Sequence, residues 1–507
     1  MFKNTIKESY VSLIISCVNL VLYHLPLFQF VTDNLDYKSL DGVLTLTSLV
    51  VIILVLNALI FYIILFIAPF IGRVLLVLSV NTNAIAVYFI FTYGVIIDKT
   101  MIGNVLNTNY EESSSFLSFG LILYLILLGV IPSILIFKIK IVKVKLKTFL
   151  AHIGSAFLFV LIFIYINSSS WLWIDKNSKA LGGLVMPWSY IVNTSRFYIH
   201  KNEENKQKIL LPDATIGNDK KSIAVLVIGE SARSENFSLY GYEKETNPLL
   251  SKIENVYSYK AESCATYTTA GVQCILEYKD GSESYETLPN YLFRNNVEVI
   301  WRTTNWGEPA VKINNYQGRA DLEKLCDGEG CGYDEILLSG LRAQLLESKK
   351  DKILLVLHTS TSHGPTYYKK YPPQFNKFTP VCENVELGKC TQQELINAYD
   401  NTIVYTDFIL SSLIGELKSL EQYNSTMFYV SDHGESLGEK NLYMHGIPAS
   451  IAPKEQLEIP FIVWLSDDAK TLKNNQVLHQ HNVFHSVLDF LGIESPIYDE
   501  NRSIFKK

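Results

Sequence analysis

The sequence predicts two structural classes in one chain: an N-terminal bundle of five transmembrane helices, followed by a water-soluble, doubly wound α/β domain. Roughly the first third of the 507 residues is apolar, with few charges outside short loops, whereas charge is dispersed through the rest. From residue 222 onward, short buried-strand patterns alternate with helical patterns. A chain of this length is longer than a single hydrophobic core usually supports, so several domains are expected.

Five apolar stretches are each long enough to cross a membrane. A hydrocarbon core of roughly 30 Å requires about 20 helical residues, and every stretch reaches that length. The first stretch is too long and too aromatic for a cleaved signal peptide, and four more follow it. The stretches lie near residues 10–31, 43–70, 72–97, 116–137 and 149–170.

The charges of the connecting segments orient these helices. Lys3 and Lys7 precede the first stretch, Arg73 lies in the second connection, and lysines crowd the fourth between Lys138 and Lys147. Acidic residues occupy the first and third connections instead. The positive-inside rule therefore places the N-terminus in the cytoplasm, and an odd number of spans predicts that residues after about 171 lie outside it.

The cysteines also indicate that the residues after about 171 lie outside the cytoplasm. An even number of locally paired cysteines in an exported domain predicts disulfides formed under oxidising conditions. A zinc cluster is the rival interpretation, but no pair has CxxC spacing and none has a matched histidine. Cys17 lies in the first apolar stretch, and the pairs are Cys264 with Cys274, Cys326 with Cys331, and Cys382 with Cys390.

We expect a transmembrane domain at residues 1–170, an interfacial connector at 171–220 and a catalytic domain at 221–507. The connector shows little periodicity, and its tryptophans suit the level of the lipid headgroups. In the catalytic domain, continuous apolar runs predict buried strands of a mostly parallel sheet, and Gln392–Leu420 predicts a helix. A nucleic-acid partner is disfavoured, because no basic stripe accompanies these elements. The runs are 223–228, 297–301, 353–357, 426–430 and 459–465.

Polar residues concentrate where the predicted strands end. Glu230 follows the first run, His358 and His363 follow the third, and Asp432 and His433 follow the fourth. Ligands of open α/β sheets bind outside the carboxyl ends of the strands, so these side chains predict one site. Carboxylate oxygens and imidazole nitrogens suit a divalent metal, with zinc the leading candidate.

Thr268 is the candidate fourth ligand and the candidate nucleophile. A metal-bound hydroxyl loses its proton more easily, and the resulting alkoxide attacks phosphoryl groups. A Cys264–Cys274 disulfide would close a small loop around Thr268 and hold it rigid. Structural alternatives stay open, since Glu230 can cap a helix and an Asp-His-Gly turn can merely start one. The joint placement of these residues at successive strand ends favours the metal site.

At these residues the sequence resembles the phosphoethanolamine transferases that modify lipid A, a family that includes the mobile colistin-resistance enzymes. The resemblance covers nearly the whole chain. It implies an alkaline-phosphatase-like soluble domain in the periplasm, anchored in a bacterial inner membrane. The best-matching segments are Gly229-Glu230-Ser231-Ala232-Arg233 with Gly241-Tyr242-Glu243, Ser362 to Tyr368, Ser431 to Glu439, and Tyr443-Met444-His445-Gly446.

By this resemblance, Glu230, Thr268, Asp432 and His433 bind a catalytic zinc ion, and Thr268 carries phosphoethanolamine covalently. His363 and His445 match family histidines that contact the phosphoryl group or a second zinc ion. The implied donor is phosphatidylethanolamine, and the implied acceptor is lipid A or another envelope molecule. Donor and acceptor are both amphiphiles, which gives the membrane anchor a purpose.

The loop between the third and fourth spans contains Asn104, Thr108 and Glu112. Their i, i+4, i+8 spacing predicts one helix face. They match family positions that hold the donor headgroup, where Glu112 could pair with the ethanolamine ammonium.

Two segments depart from the family pattern. Gly271-Val272-Gln273 stands where many relatives have Ser-Val-Pro. Thr304 to Glu308 replaces an Asn-Ser-Asp-Ser-Lys type of segment near the acceptor. Lys312 is a weak substitute for the lysine of that family segment. The acceptor is therefore open among lipid A, a core sugar, another glycan and a protein. Alternative functions are a glycerol-phosphate transferase, phosphodiesterase or sulfatase on the same fold, or a membrane sensor without activity. The Cys-x-Pro-x-Arg motif of sulfatases is absent around Thr268, and the presence of all four ligands disfavours the sensor.

Overall fold

The computed structural model describes residues 5–108, 110–166, 171–204, 208–281, 283–467, 470–473 and 477–506. The chain forms two compact units, Met1–His200 and Lys201–Lys507. The apolar stretches lie in the first unit and the sheet lies in the second.

Among the described residues of the first unit, four helices are long and apolar enough to cross a membrane, and a fifth candidate is a helix pair bent by 60°. The bent pair, Glu8–Tyr23 with Leu25–Asn34, covers the first predicted span. Pro26 has no N–H for the preceding turn, and its ring crowds the carbonyl there, so the helix breaks at His24. The long helices are Leu40–Ile67, Pro69–Tyr93, Phe119–Lys138 and Leu146–Tyr165.

Shorter elements complete the first unit. Thr5–Lys7 pairs in parallel with Lys140–Val142, so Lys7 and the lysine-rich connection lie at the same end of the helices. The stretch expected to show little periodicity is largely helical up to Glu204. The short helices are Lys99–Asn107, Tyr110–Ser115, Trp171–Lys176, Ser178–Leu184 and Trp188–Glu204.

A cluster of buried amides joins these helices to the segment around Met186. Asn19 Nδ2 donates to the Met186 carbonyl at 3.0 Å, and Asn83 Nδ2 donates to Asn19 Oδ1 at 2.9 Å. Asn57, near the middle of its helix, accepts from the indole of Trp188 at 2.6 Å. Because a buried amide is stable only when it is hydrogen-bonded, these contacts determine how the segment packs against the helices.

An eight-stranded sheet forms the centre of the second unit. In chain order, its strands β1 to β8 are Ser222–Gly229, Val256–Glu262, Glu298–Thr303, Asn315–Gln317, Lys352–His358, Asn424–Ser431, Glu458–Leu465 and Leu478–His479.

The strands lie side by side in the order β8-β2-β7-β6-β1-β5-β3-β4. Neighbouring strands are parallel except where β7 pairs with β2 and β6. The five predicted strands are confirmed as β1, β3, β5, β6 and β7, whereas β2 was missed because most of its side chains are at least partly exposed.

Helices pack against this sheet. The helix Gln392–Lys418 confirms the predicted one and begins with a capping box between Thr391 and Glu394. Ala224, Leu226 and Ile228 of β1 share a fully buried core with the helix Asn482–Leu491. The other helices of the second unit are Thr268–Leu276, Leu288–Arg294, Arg319–Leu322 and Leu341–Glu347.

The six cysteines of the second unit form the three predicted disulfides. Cys17 is the free cysteine of the described residues. His481 lies near Cys264 and Cys274, but their sulfurs are bonded to each other, so the rival interpretation of the cysteines as zinc ligands is wrong here.

Candidate metal centre and active site

Loops from five strands meet at one edge of the sheet. Strands β1, β3, β5 and β6 are mutually parallel, and β2 runs in the same direction because two antiparallel pairings separate it from β6. Their carboxyl ends therefore share an edge, as ligand sites in such sheets require. In strand order, the loops carry Glu230, Thr268, Asn305, His363, and Asp432 with His433.

Glu230 is buried and precedes a strained turn. Ser231 has a φ of 51°, a left-handed conformation that is unfavourable for a residue with a side chain. Three contacts hold it there: its N–H donates to Asp432 Oδ1 at 2.9 Å, its hydroxyl donates to Glu230 Oε1 at 2.8 Å, and the Tyr399 hydroxyl donates to its carbonyl at 2.7 Å. The turn thus connects Glu230 with Asp432, two members of the predicted ligand set.

Thr268 is the first residue of the helix Thr268–Leu276. Its hydroxyl lies 3.4 Å and 3.5 Å from the two Glu230 oxygens and 3.4 Å from His433 Nε2. A helix N-terminus favours negative charge, so this position suits an alkoxide or a phosphoryl group.

Gly271 lets this helix approach the Asp432 backbone. A Cβ atom at Gly271 would lie 2.2 Å from the Asp432 carbonyl oxygen, a contact that no side chain can tolerate. The departure from the family pattern at this position therefore has a packing role, which the sequence did not reveal.

Asp432 and His433 follow β6 and are buried. Asp432 Oδ1 accepts from the N–H groups of Ser231 and His433, whereas Oδ2 has no hydrogen-bond partner among the described residues. Nδ1 of His433 lies 2.8 Å from the Gly434 carbonyl, which places the proton on Nδ1 and a lone pair on Nε2. His433 Nε2 lies 3.3 Å from Asp432 Oδ2.

The residues present fit a divalent cation such as zinc. Glu230, His433 and His445 each offer a ligand atom within 4.8 Å of the others, and Thr268 and Asp432 add oxygens beside them. A buried carboxylate oxygen without a partner, next to a second carboxylate, is costly unless a cation neutralises it. Nitrogen and oxygen donors in this number match the preferences of zinc.

The electrostatics of the cluster agree with metal binding. Burial and the Glu230 carboxylate raise the pKa of Asp432 well above its ordinary value. Burial alone would also raise the pKa of Glu230, but the nearby His363, His433 and His445 hold it well below its ordinary value. Burial and then His445 lower the pKa of His433 to about 3. His433 and Glu230 are thus in the protonation states that metal ligands require, a neutral imidazole and an ionised carboxylate, and a bound cation would relieve the repulsion that raises the pKa of Asp432.

The two further predicted histidines lie at this cluster. His363 Nδ1 is 2.9 Å from Glu230 Oε1. His445 Nδ1 is 3.1 Å from Glu435 Oε2, and its ring centroid is 4.3 Å from that of His433. Glu435 was not singled out from the sequence, although it belongs to the quoted Ser431–Glu439 segment.

Asn305 was also missed as a site residue. Its side-chain amide donates to Glu230 Oε2 at 2.7 Å and to the Thr359 carbonyl at 2.8 Å. The sequence could have indicated this role, because Asn305 lies two residues after the end of β3, in a segment noted only for its departure from the family.

Asn104, Thr108 and Glu112 belong to the first unit and do not share one helix face. The helix Lys99–Asn107 ends before Thr108, whose hydroxyl donates to the Asn104 carbonyl at 2.7 Å. Glu112 is on the separate helix Tyr110–Ser115, and its side chain lies outside the described residues. The spacing prediction is wrong because the segment forms two short helices instead of one, and Asn107 and Thr108 at the break are poor helix formers.

Family models match both units. A model described as Sulfatase matches residues 222–493, and one described as Phosphoethanolamine transferase EptA/EptB matches residues 42–202. Phosphoethanolamine transferase EptA of Helicobacter pylori is 41% identical over 487 residues, covering 94% of this chain and 92% of that protein. Phosphatidylethanolamine transferase Mcr-1 of Escherichia coli is 33% identical, covering 70% of this chain and 71% of that protein.

A solved structure extends the similarity to the whole fold. The integral membrane lipooligosaccharide phosphoethanolamine transferase A from Neisseria meningitidis matches 97% of both chains, with a TM-score of 0.86 and 27% identity. The predicted fold class, apolar helices followed by an alkaline-phosphatase-like domain, is confirmed.

Proposed function

This chain belongs to the lipid A phosphoethanolamine transferase family, and on that premise we propose that Thr268 and a bound zinc ion transfer phosphoethanolamine from phosphatidylethanolamine to lipid A. The chain is an enzyme of this kind and a membrane protein with a soluble domain. The observation that supports the proposed chemistry best is the Thr268 hydroxyl, within 3.5 Å of Glu230 and His433 at the first residue of a helix.

The proposed zinc ligands are Glu230, Thr268, Asp432 and His433, with His445 within reach of a second ion. When bound, zinc lowers the pKa of a ligated hydroxyl and neutralises part of the phosphoryl charge. The unpartnered oxygen of Asp432 supports this assignment, because a cation supplies the partner that it lacks.

In the first step, Thr268 Oγ1 attacks the phosphorus of the donor. Its proton passes to a neighbouring acceptor, and the nearest candidates are Glu230 Oε2 and His433 Nε2, each 3.4 Å from the hydroxyl. The bond between phosphorus and the diacylglycerol oxygen breaks, and the leaving oxygen takes the electron pair and a proton. The product is a phosphoethanolamine ester on Thr268.

In the second step, an acceptor oxygen attacks the same phosphorus. The bond to Thr268 breaks, and the Thr268 oxygen regains a proton. Negative charge on the phosphoryl oxygens is favoured by the N-terminus of the helix Thr268–Leu276 and by donor groups on His363 and His445.

We place the catalytic domain, residues 221–507, in the periplasm and the helices of residues 1–170 in the bacterial inner membrane, with residues 171–220 between them. Asn104, Thr108 and Glu112 are proposed contacts of the ethanolamine headgroup. Asn104 and Glu112 lie on two short helices and Thr108 directly follows the first of them, all between two apolar helices, which supports this role.

The test is mass spectrometry of lipid A from cells that express the wild-type chain, the Thr268→Ala variant or the Thr268→Ser variant. We expect a phosphoethanolamine mass addition with the wild type, none with Thr268→Ala, and a reduced addition with Thr268→Ser, which keeps a hydroxyl. Full modification by Thr268→Ala would exclude Thr268 as the nucleophile.

A second measurement separates the donor half-reaction from the acceptor. Purified protein incubated with phosphatidylethanolamine alone should acquire the ester on the peptide that contains Thr268. If the ester forms while lipid A in cells stays unmodified, the transferase assignment stands and the acceptor is a core sugar, another glycan or a protein.

A further inference from the structure

We propose that Asp334 is a positioning residue for Glu230, because it ties together the two loops whose side chains bind the two oxygens of the Glu230 carboxylate. Through Glu230 it sets the affinity of the site for zinc. This inference rests on the proposed function, since it concerns the proposed metal ligand.

Asp334 is a buried carboxylate, with 2% of its surface exposed. Its Oδ1 accepts from the hydroxyls of Thr304 at 2.6 Å and Ser360 at 3.0 Å. Its Oδ2 accepts from the Ser360 N–H and the Thr361 hydroxyl, both at 2.6 Å. All four partners are neutral donors, so both oxygens of Asp334 act as acceptors in these bonds.

The donors belong to the two loops that reach Glu230. Thr304 precedes Asn305, whose amide donates to Glu230 Oε2 at 2.7 Å. Ser360 and Thr361 precede His363, whose Nδ1 lies 2.9 Å from Glu230 Oε1.

The two loops are also bonded to each other and within themselves. Asn305 donates to the Thr359 carbonyl at 2.8 Å, and the His363 N–H donates to the Ser360 carbonyl at 3.2 Å. A shift of either loop therefore moves a partner of Glu230, and Asp334 restrains both loops at once.

The segment that carries Asp334 is held in place from two sides. The buried Arg302 of β3 donates to the carbonyls of Leu337 and Ser339, each at 2.8 Å. The N–H of Glu335 donates to the hydroxyl of Tyr405, on the helix Gln392–Lys418. A carboxylate anchored in this way transmits the rigidity of the sheet and helix to the loops.

Side chains that orient a metal ligand commonly change metal affinity by about 10- to 100-fold when they are removed. An asparagine at position 334 keeps the volume of the aspartate but replaces one acceptor oxygen with a donor NH2 group. At least one donor from these loops then loses its acceptor, while Glu230, Asn305 and His363 remain intact.

The experiment uses full-length protein in detergent, stripped of metal with a chelator and titrated with zinc against a fluorescent zinc indicator. We expect Asp334→Asn to weaken zinc binding by about 10- to 100-fold. The matched control is Glu335→Gln, the adjacent carboxylate, which should bind zinc like the wild type. Equal zinc affinity of folded Asp334→Asn and wild type would overturn the inference.

Two further variants separate positioning from general destabilisation. Asp334→Asn should weaken zinc binding less in an Asn305→Ala background than in the wild type, because one route to Glu230 is already lost. Fully additive effects would contradict the proposed route. If Asp334→Asn does not fold, Ser360→Ala removes one donor and should still weaken zinc binding several-fold, and unchanged affinity there would overturn the inference.

The outcomes also distinguish this inference from the proposed function. A wild-type protein that binds no zinc would overturn both. Zinc binding that is weakened by Asp334→Asn, together with full lipid A modification by Thr268→Ala, would preserve the positioning role and overturn only the nucleophile.

Discussion

Buried polar side chains have different roles in the two units of this protein. In the first unit, Asn19, Asn57 and Asn83 are neutral and hydrogen-bonded to neighbouring groups. In the second unit, Glu230 and Asp432 are ionisable, and one Asp432 oxygen has no hydrogen-bond partner among the described residues. The amides of the first unit hold its elements together, whereas the carboxylates of the second unit are suited to bind the proposed zinc ion.

Burial of a polar group does not by itself mark a functional site. A satisfied amide among apolar helices stabilises packing, while converging acids and imidazoles with an unsatisfied atom indicate ligand binding.

The largest effect is expected from Asp432→Asn, which turns the carboxylate into an amide like those of the first unit. Zinc content should fall to background, and donor turnover should drop by more than about 100-fold, because a proposed ligand is lost rather than a group that orients one. Elemental analysis and release of diacylglycerol from phosphatidylethanolamine measure the two effects. Asp407→Asn, a buried carboxylate elsewhere in the unit, is the control and should keep its zinc. A fully metallated, active Asp432→Asn would remove the distinction between the two units.

A buried carboxylate whose oxygens are both hydrogen-bonded should affect stability instead of metal binding. Asp407 accepts from the N–H groups of Leu249 and Leu250 at 2.8 Å and 3.0 Å, and burial raises its pKa from 3.8 to about 6. The native state therefore holds the proton more tightly than the unfolded state. The contribution of Asp407 to the free energy of unfolding is fully present below pH 3.8, and it falls by about 3 kcal/mol as the pH rises through 6.

Urea unfolding of the wild type and Asp407→Asn between pH 3.5 and 7 tests this linkage. The difference in unfolding free energy between the two should change with pH over that window, because asparagine does not titrate. A constant difference would show that Asp407 has an ordinary pKa.

A smaller effect is expected from packing at the site edge. Gly271→Ala places a methyl group against the Asp432 carbonyl, so we expect a loss of about 1–3 kcal/mol in unfolding free energy and reduced turnover as Thr268 is displaced. Gly415→Ala, on an exposed helix position with nothing within 4 Å, should instead gain about 0.5–1 kcal/mol. Thermal unfolding of both variants provides the comparison, and equal shifts would contradict the close contact at Gly271.

The smallest effect is expected in the first unit. Asn57→Leu removes the acceptor of the Trp188 indole and should lower stability in detergent by about 1 kcal/mol, the usual size for a hydrogen bond between membrane helices. Zinc content and donor turnover should match the wild type. Loss of zinc in this variant would mean that the amide cluster supports the metal site as well as the packing. Leu56→Val, at the neighbouring exposed position, is the control.

Local patterns in the sequence determined much of this protein. Continuous apolar runs predicted five strands of the sheet, including β1 and β5, and helical periodicity predicted the helix Gln392–Lys418. The close spacing of the cysteines predicted all three disulfides. Glu230 and Asp432 were recognisable because each directly follows a strand, and His433 was recognisable because it follows Asp432.

The tertiary structure alone decided the groups that hold the site together. The strained Ser231, the close approach at Gly271, and the roles of Asn305 and Asp334 depend on partners distant in sequence. The bond from Asn305 to Glu230 spans 75 residues, and the bond from Ser231 to Asp432 spans 201. Periodicity and spacing report only what neighbouring residues share, whereas these contacts exist because parallel strands bring distant loops to one edge of the sheet.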